Sequence, residues 1–114
     1  MTYFDEDAGA ALQSAFEEVV MDWPDVTATT MFGCPSYRAD DTLFAVLVTD
    51  GVALTRLPAD RREQVAKAFH GKPFLAGDRT VPKWVQVTVD DVADLRALVP
   101  HVKASYESAL SESG

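Results

Sequence analysis

Leu12, Phe16, Val19 and Trp23 recur at steps of four, three and four, which lines one face of a helix over about residues 6–22. Asp5, Glu6 and Asp7 stand at its start, where the helix dipole favours negative charge. Pro24 closes it, because the residue before a proline resists helical geometry. The pattern then changes period. "VTATTMF" (26–32) is rich in β-branched residues, and "SYRA" (36–39) is a short strand followed by an Asp40-Asp41 turn. "TLFAVLVT" (42–49) is apolar at both alternating positions, as a central strand covered on both sides must be. Asp50-Gly51 leads into "VALTRL" (52–57), and Asp-Gly between apolar runs predicts a type I′ hairpin.

A helix is predicted over about 60–70, with Asp60 as its cap, Glu63 three residues on, and Gly71 and Pro73 beyond its end. Residues 72–82 contain Pro73, Gly77 and Pro82 and read as loop, with a short extended piece near Phe74 and Leu75. In "KWVQVTV" (83–89) the valines at 85, 87 and 89 alternate with Trp84, Gln86 and Thr88, which predicts a strand. Asp90 and Asp91 then introduce a helical pattern through Val92, Leu95, Leu98, Val102, Tyr106 and Leu110. Pro100 interrupts it, and two helices meeting at the proline are expected. Hairpin-linked strands with few crossovers give an α+β fold. The expectation is one domain over residues 1–114. An antiparallel sheet of about five strands carries an N-terminal helix, a helix after strand four and C-terminal helices packed against it.

Composition adds limits. Hydrophobic residues make up 47% of the 114, enough for a core in one domain of this size. No apolar run approaches membrane-spanning length, the N-terminus lacks the basic and apolar regions of a secretory signal, and a single cysteine cannot form an internal disulfide. Together these place the expectation in the cytoplasm, with no membrane contact. The net charge of −8 disfavours phosphate backbones and anionic lipid surfaces. The charge is uneven: residues 1–25 hold no Lys or Arg, whereas 61–83 hold Arg61, Arg62, Lys67, Lys72, Arg79 and Lys83 against Glu63 and Asp78.

Three chemistries can be weighed. A cysteine nucleophile would need Cys34 as a thiolate with His70 or His101 as base, yet neither histidine sits in a cysteine-enzyme motif, and free cysteine is commonly buried. One Cys and two His match no zinc spacing, and the Asp pairs at 40–41 and 90–91 read as turn and helix-cap residues, so no metal or other cofactor is expected. No phosphate-binding glycine loop or nucleophile elbow is present. Nucleic-acid binding by the basic segment 61–83, with Phe69, Phe74 and Trp84 as stacking partners, is the alternative function.

"MFG" (31–33), followed by "LFAVLVTDGVALTRL" (43–57) and "WVQVTVDDVADLRALVPHVKASYESAL" (84–110), resembles the N-terminal domain of the TfoX/Sxy competence-regulator family. "GCPSYR" (33–38) also resembles the glycine-x-proline-x-aromatic-arginine turn of the related YjbR/MmcQ-like small proteins. The likeness spans roughly residues 8 to 110 and implies a compact α+β domain. Cys34 stands where TfoX-type domains often have a second glycine, which implies a tight space. The further C-terminal domain of full-length competence regulators has no counterpart in these residues, so a role in competence is not expected. The resemblance carries over no catalytic residue. The leading expectation is a non-enzymatic binding or regulatory module of this type, whose partner is another protein or a second copy of itself. The expected surface lies where the 33–38 turn approaches the 61–83 segment, with Tyr37, Arg38, Arg79, Lys83 and Trp84 as binding residues.

Overall fold

The computed structural model describes residues 6–31, 33–48, 51–69, 71–76, 79–89 and 91–113; the side chains of 6–8, 72–76, 79–83, 92 and 113 are not among those described. Helix α1 (Glu6–Val20) leads into β1 (Val26–Met31), β2 (Cys34–Ala39), β3 (Thr42–Val48) and β4 (Gly51–Leu54). Helix α2 (Ala59–Ala68), β5 (Lys72–Ala76), β6 (Arg79–Thr88) and α3 (Val92–Ser113) follow. The strands form one antiparallel sheet in the order β1-β2-β3-β4-β6-β5. The α+β class and the positions of the helices along the chain agree with the pattern in the sequence. Leu43 through Val48 are all buried, as a central strand requires.

The sheet has a strand more than the pattern of apolar residues suggests. Residues 72–76 are extended, and β6 begins at Arg79 rather than Lys83. Pro82 argues for a loop in the sequence because proline removes a ladder hydrogen bond. It sits where the register jumps from Pro73↔Val85 to Phe74↔Val81, so it falls in a bulge that has no ladder bond to lose.

Type I′ geometry is seen at the β2–β3 hairpin. Ala39 pairs with Thr42, and the two residues between them, Asp40 and Asp41, have φ of 48° and 71°. Positive φ at both central residues is the type I′ signature. At the β3–β4 connection Val48 pairs with Gly51, so the two intervening residues are Thr49 and Asp50, which lie outside the described residues. Gly51 is a strand residue. A Cβ there would overlap the Val87 carbonyl oxygen of β6, so close approach of two strands demands the glycine. Gly33, between β1 and β2, is the opposite case: its φ is 76° and a Cβ would meet nothing within 4 Å, so conformation demands it.

The caps divide similarly. Asp91 caps α3, its Oδ1 accepting the Asp94 N–H at 2.9 Å. Asp60 is not the cap of α2. Pro58 holds that position without a side-chain bond, and Asp60 Oδ1 accepts the adjacent Arg61 N–H instead. At the other end the Gly71 N–H reaches the Ala66 carbonyl at 3.1 Å. There a Cβ would come within 2.7 Å of a Val85 methyl, so Gly71 lets α2 settle onto β6.

One helix, not two, occupies the C-terminal segment, with exposed Pro100 inside it. The buried residues Leu95, Leu98, Val102, Tyr106 and Ala109 keep the same phase on both sides of the proline. Two helices meeting at a corner would break that stripe, and its burial against the sheet offsets the missing hydrogen bond. Ser105 fixes the seat of α3 further: its hydroxyl donates to the Phe44 carbonyl at 2.7 Å and accepts the Arg56 N–H at 3.0 Å.

The intact stripe makes Pro100 a local cost rather than a hinge. Replacing it by alanine restores a donor and is expected to raise unfolding stability by about 1–2 kcal/mol, the helix gain being reduced by the freer unfolded chain. Urea denaturation of Pro100→Ala measures this, and a loss of stability would show that the proline sets a needed bend.

Candidate functional site

A cleft of about 530 Å³ lies between α1 and the β1–β2 hairpin, lined by Gln13, Glu17, Ala28, Thr29, Thr30, Gly33 and Pro35. Its walls follow from local sequence. Gln13 and Glu17 are four residues apart on α1 and share a face, so the Gln13 amide donates to Glu17 Oε2 at 3.1 Å. The opposite wall is β1, where Thr27, Ala28, Thr29 and Thr30 are all exposed. Hydroxyls at adjacent positions cannot all point into a core, so this strand takes the sheet edge.

Beneath the cleft lies Tyr37, with a fully buried side chain. Its ring sits 5.0 Å from that of Phe16, and its hydroxyl donates to Glu17 Oε2 at 2.7 Å. Burial, then the hydrogen bond to the Glu17 carboxylate, push the phenol well above its ordinary pKa, so it is a permanent donor. Both bonds to Glu17 land on Oε2 and neither uses Oε1. The arrangement orients a carboxylate at the rim of a polar cleft.

The residues singled out from sequence are dispersed. Tyr37 is core, and its contribution to a surface is indirect, through Glu17. Arg38 is half-buried and donates to the Asp41 carbonyl at 3.1 Å, bracing the type I′ turn. Trp84 is half-buried and packs against the core. The side chains of Arg79 and Lys83 lie outside the described residues, though both belong to β6. The expected meeting of the 33–38 turn with the 61–83 segment does not occur within the sheet. Strands β3 and β4 separate β2 from β6, a spacing of about 14 Å over three strand intervals. Sequence reasoning did find Gly33 and Pro35, which line the cleft, but missed Gln13, Glu17, Thr29 and Thr30. The run of threonines on both faces of β1 was the signal available.

Cys34 is buried, and burial raises its thiol pKa, the reverse of what an activated nucleophile needs. His70 lies outside the described residues. His101, on α3, faces α2: its Nδ1 is 3.3 Å from Arg61 Nη1, and its ring stands edge-on to Phe69 with centroids 5.8 Å apart. A guanidinium only donates, so Nδ1 must be the accepting nitrogen and the proton sits on Nε2. Among the described residues no group of three or more His, Cys, Asp or Glu could hold a metal ion, and no helix is long and apolar enough to cross a membrane.

Two outcomes follow from these contacts. Tyr37→Phe removes a bond to a charged acceptor and is expected to lower unfolding stability by about 1.5–3 kcal/mol, read by urea denaturation. His101 is held below its ordinary pKa of 6.5 by burial and by Arg61. Between the folded and unfolded values the unfolded chain binds more protons, so the contribution present above 6.5 is lost as pH falls through that window. Wild type should therefore lose stability relative to His101→Gln as pH drops from 7 toward the folded pKa. Parallel curves would remove His101 from the pH dependence.

No curated protein and no solved structure matches the chain. The family model of the TfoX N-terminal domain matches residues 18–109, from the last turn of α1 to nearly the end of α3. That span takes in Glu17's neighbour Glu18, the whole sheet and the cleft wall on β1. The chain therefore belongs to the TfoX N-terminal domain family and is a small regulatory or binding module of that type.

Proposed function

We propose that this module binds a protein partner, and that the working surface is the outer edge of β1 with the cleft beside it. The edge strand carries the reading. Among the described residues β1 pairs only with β2, in unbroken register from Val26↔Ala39 to Met31↔Cys34. It contains no lysine, proline or bulge, the devices by which proteins usually blunt a sheet edge. A partner segment can add to such an edge through main-chain hydrogen bonds. The YjbR/MmcQ-like turn at 33–38 supports the same surface, since Gly33 and Pro35 line the cleft. The single buried thiol suits a cytoplasmic setting. The role is binding, not catalysis, because the one candidate nucleophile is enclosed. Nucleic-acid binding through 61–83 has less support. The net charge opposes it, and Arg61 is turned toward His101.

The phase of the ladder names the residue to test. Proline cannot donate, so Thr30↔Pro35 is a non-hydrogen-bonded pair. Alternation then turns the N–H and C=O of Val26, Ala28 and Thr30 away from β2, to the outside. Ala28→Pro deletes an outward donor and leaves the ladder to β2 intact. Affinity capture from the native host, with nuclease added, should yield a partner whose retention falls about tenfold or more with Ala28→Pro. A partner lost to nuclease and indifferent to Ala28→Pro would overturn the reading in favour of nucleic acid.

A further inference from the structure

The edge and the cleft together say more about what is bound. We infer, building on the protein-binding reading above, that the site takes an extended peptide segment with a lysine or arginine whose cationic group lies against the Glu17 carboxylate.

Three observations converge. First, the outward backbone groups of β1 offer an added strand two donors and acceptors close to the cleft, at Ala28 and Thr30, both of which line it. Second, Ala28 is the register partner of Tyr37 and so shares its face of the sheet, the face toward α1. Its methyl is too short to screen Glu17, so a side chain of an added strand on that face has room to reach the carboxylate. Third, the carboxylate is already aimed. Tyr37 and Gln13 hold Oε2, and Oε1 takes no hydrogen bond from a described residue. A fixed acceptor next to a free edge selects a donor with a full positive charge over a neutral one.

The surrounding charge has the same sign. Glu18, Asp22 and Asp25 are exposed near the end of α1 and the start of β1, and residues 1–25 contain no Lys or Arg. This argues against the other natural occupant of a free edge, a second copy of the chain. Self-pairing of β1 would join two chains that each carry a net charge of −8. A basic strand has the complementary sign, and its association should weaken with added salt.

The probe is a blocked eight-residue peptide of alternating valine and threonine with one central arginine, compared with the same peptide carrying a central glutamate. Binding to the full chain is followed by fluorescence anisotropy and by amide shifts at Val26, Ala28 and Thr30. The arginine peptide should bind at least about tenfold more tightly than the glutamate peptide. Glu17→Gln keeps an oxygen for the Tyr37 hydroxyl but removes the charge, and it should cut the difference to about threefold or less. Ala28→Pro, or Thr30→Pro should the first variant fold poorly, should abolish binding of both. Equal binding of the two peptides, insensitive to Glu17→Gln but lost with Ala28→Pro, would sink the charge selection and leave the edge reading standing. Binding that survives both proline variants would sink both. A dimer in sedimentation that Ala28→Pro dissolves, with no peptide bound, would make the occupant a second copy and overturn the inference.

Discussion

The backbone carbonyl of Phe44 is the point on which the layers of this protein depend. Phe44 is the extra residue of the bulge at which β3 pairing jumps from Tyr37↔Ala45 to Arg38↔Leu43. Its carbonyl accepts the Thr55 N–H at 3.1 Å from beyond the end of β4 and the Ser105 hydroxyl from α3. A buried carbonyl with two acceptor sites is thus satisfied by two different elements. Its ring lies edge-on to Tyr106, with centroids 5.6 Å apart, while Tyr106 stacks on Trp23 and donates its hydroxyl to the Pro24 carbonyl at 2.7 Å. One residue of the central strand therefore registers α3, and through Tyr106 it registers the connection from α1 to β1. The position of α1 over β2, and so the existence of the cleft, is downstream of that contact.

The hairpins show how local constraint and tertiary constraint share the work. At Asp40-Asp41 the chain adopts positive φ at residues that tolerate it poorly compared with glycine. The strain is held by the Arg38 side chain on the Asp41 carbonyl and by the Asp40 N–H on the Asp25 carbonyl at 3.0 Å. Asp25 itself has φ of 64°. Two strained aspartate sites thus meet at the start of β1, and the meeting fixes where the edge strand begins. At Gly51 and Gly71 bulk, not backbone angle, is the problem: Gly51 under Val87 and Gly71 under Val85 both let β6 come close.

This division explains what could be read in advance. The α+β order, the buried central strand, the Asp91 cap and the Asp40-Asp41 turn each follow from a short window, because the forces that set them are local. Pro82 and Pro100 look like breaks in the sequence because proline is a local penalty, yet both are absorbed by their surroundings, one in a bulge and one in a continuous buried stripe. Asp-Gly at 50–51 looks like a two-residue turn in the sequence because the steric demand of Val87 on Gly51 comes from a strand more than thirty residues away. The candidate surface was half legible for the same reason. Gly33 and Pro35 announce a turn, but nothing within ten residues of Tyr37 shows that its hydroxyl ends on Glu17.

That last bond reverses the expected part played by Tyr37. An aromatic next to an arginine in a turn suggests a group that touches a partner. Buried instead, with Phe16 against its ring, it becomes the fixed post to which a surface carboxylate is tied. A carboxylate on a long side chain loses rotamer freedom whenever it is used, which weakens exposed ion pairs. Here Tyr37 and Gln13 have already removed much of that freedom, so less remains to be lost when a cation arrives. Pre-organisation of this kind adds little to folding beyond the bonds themselves. Its effect falls on association, and it lies beside an edge strand whose residues 27–30 are all exposed.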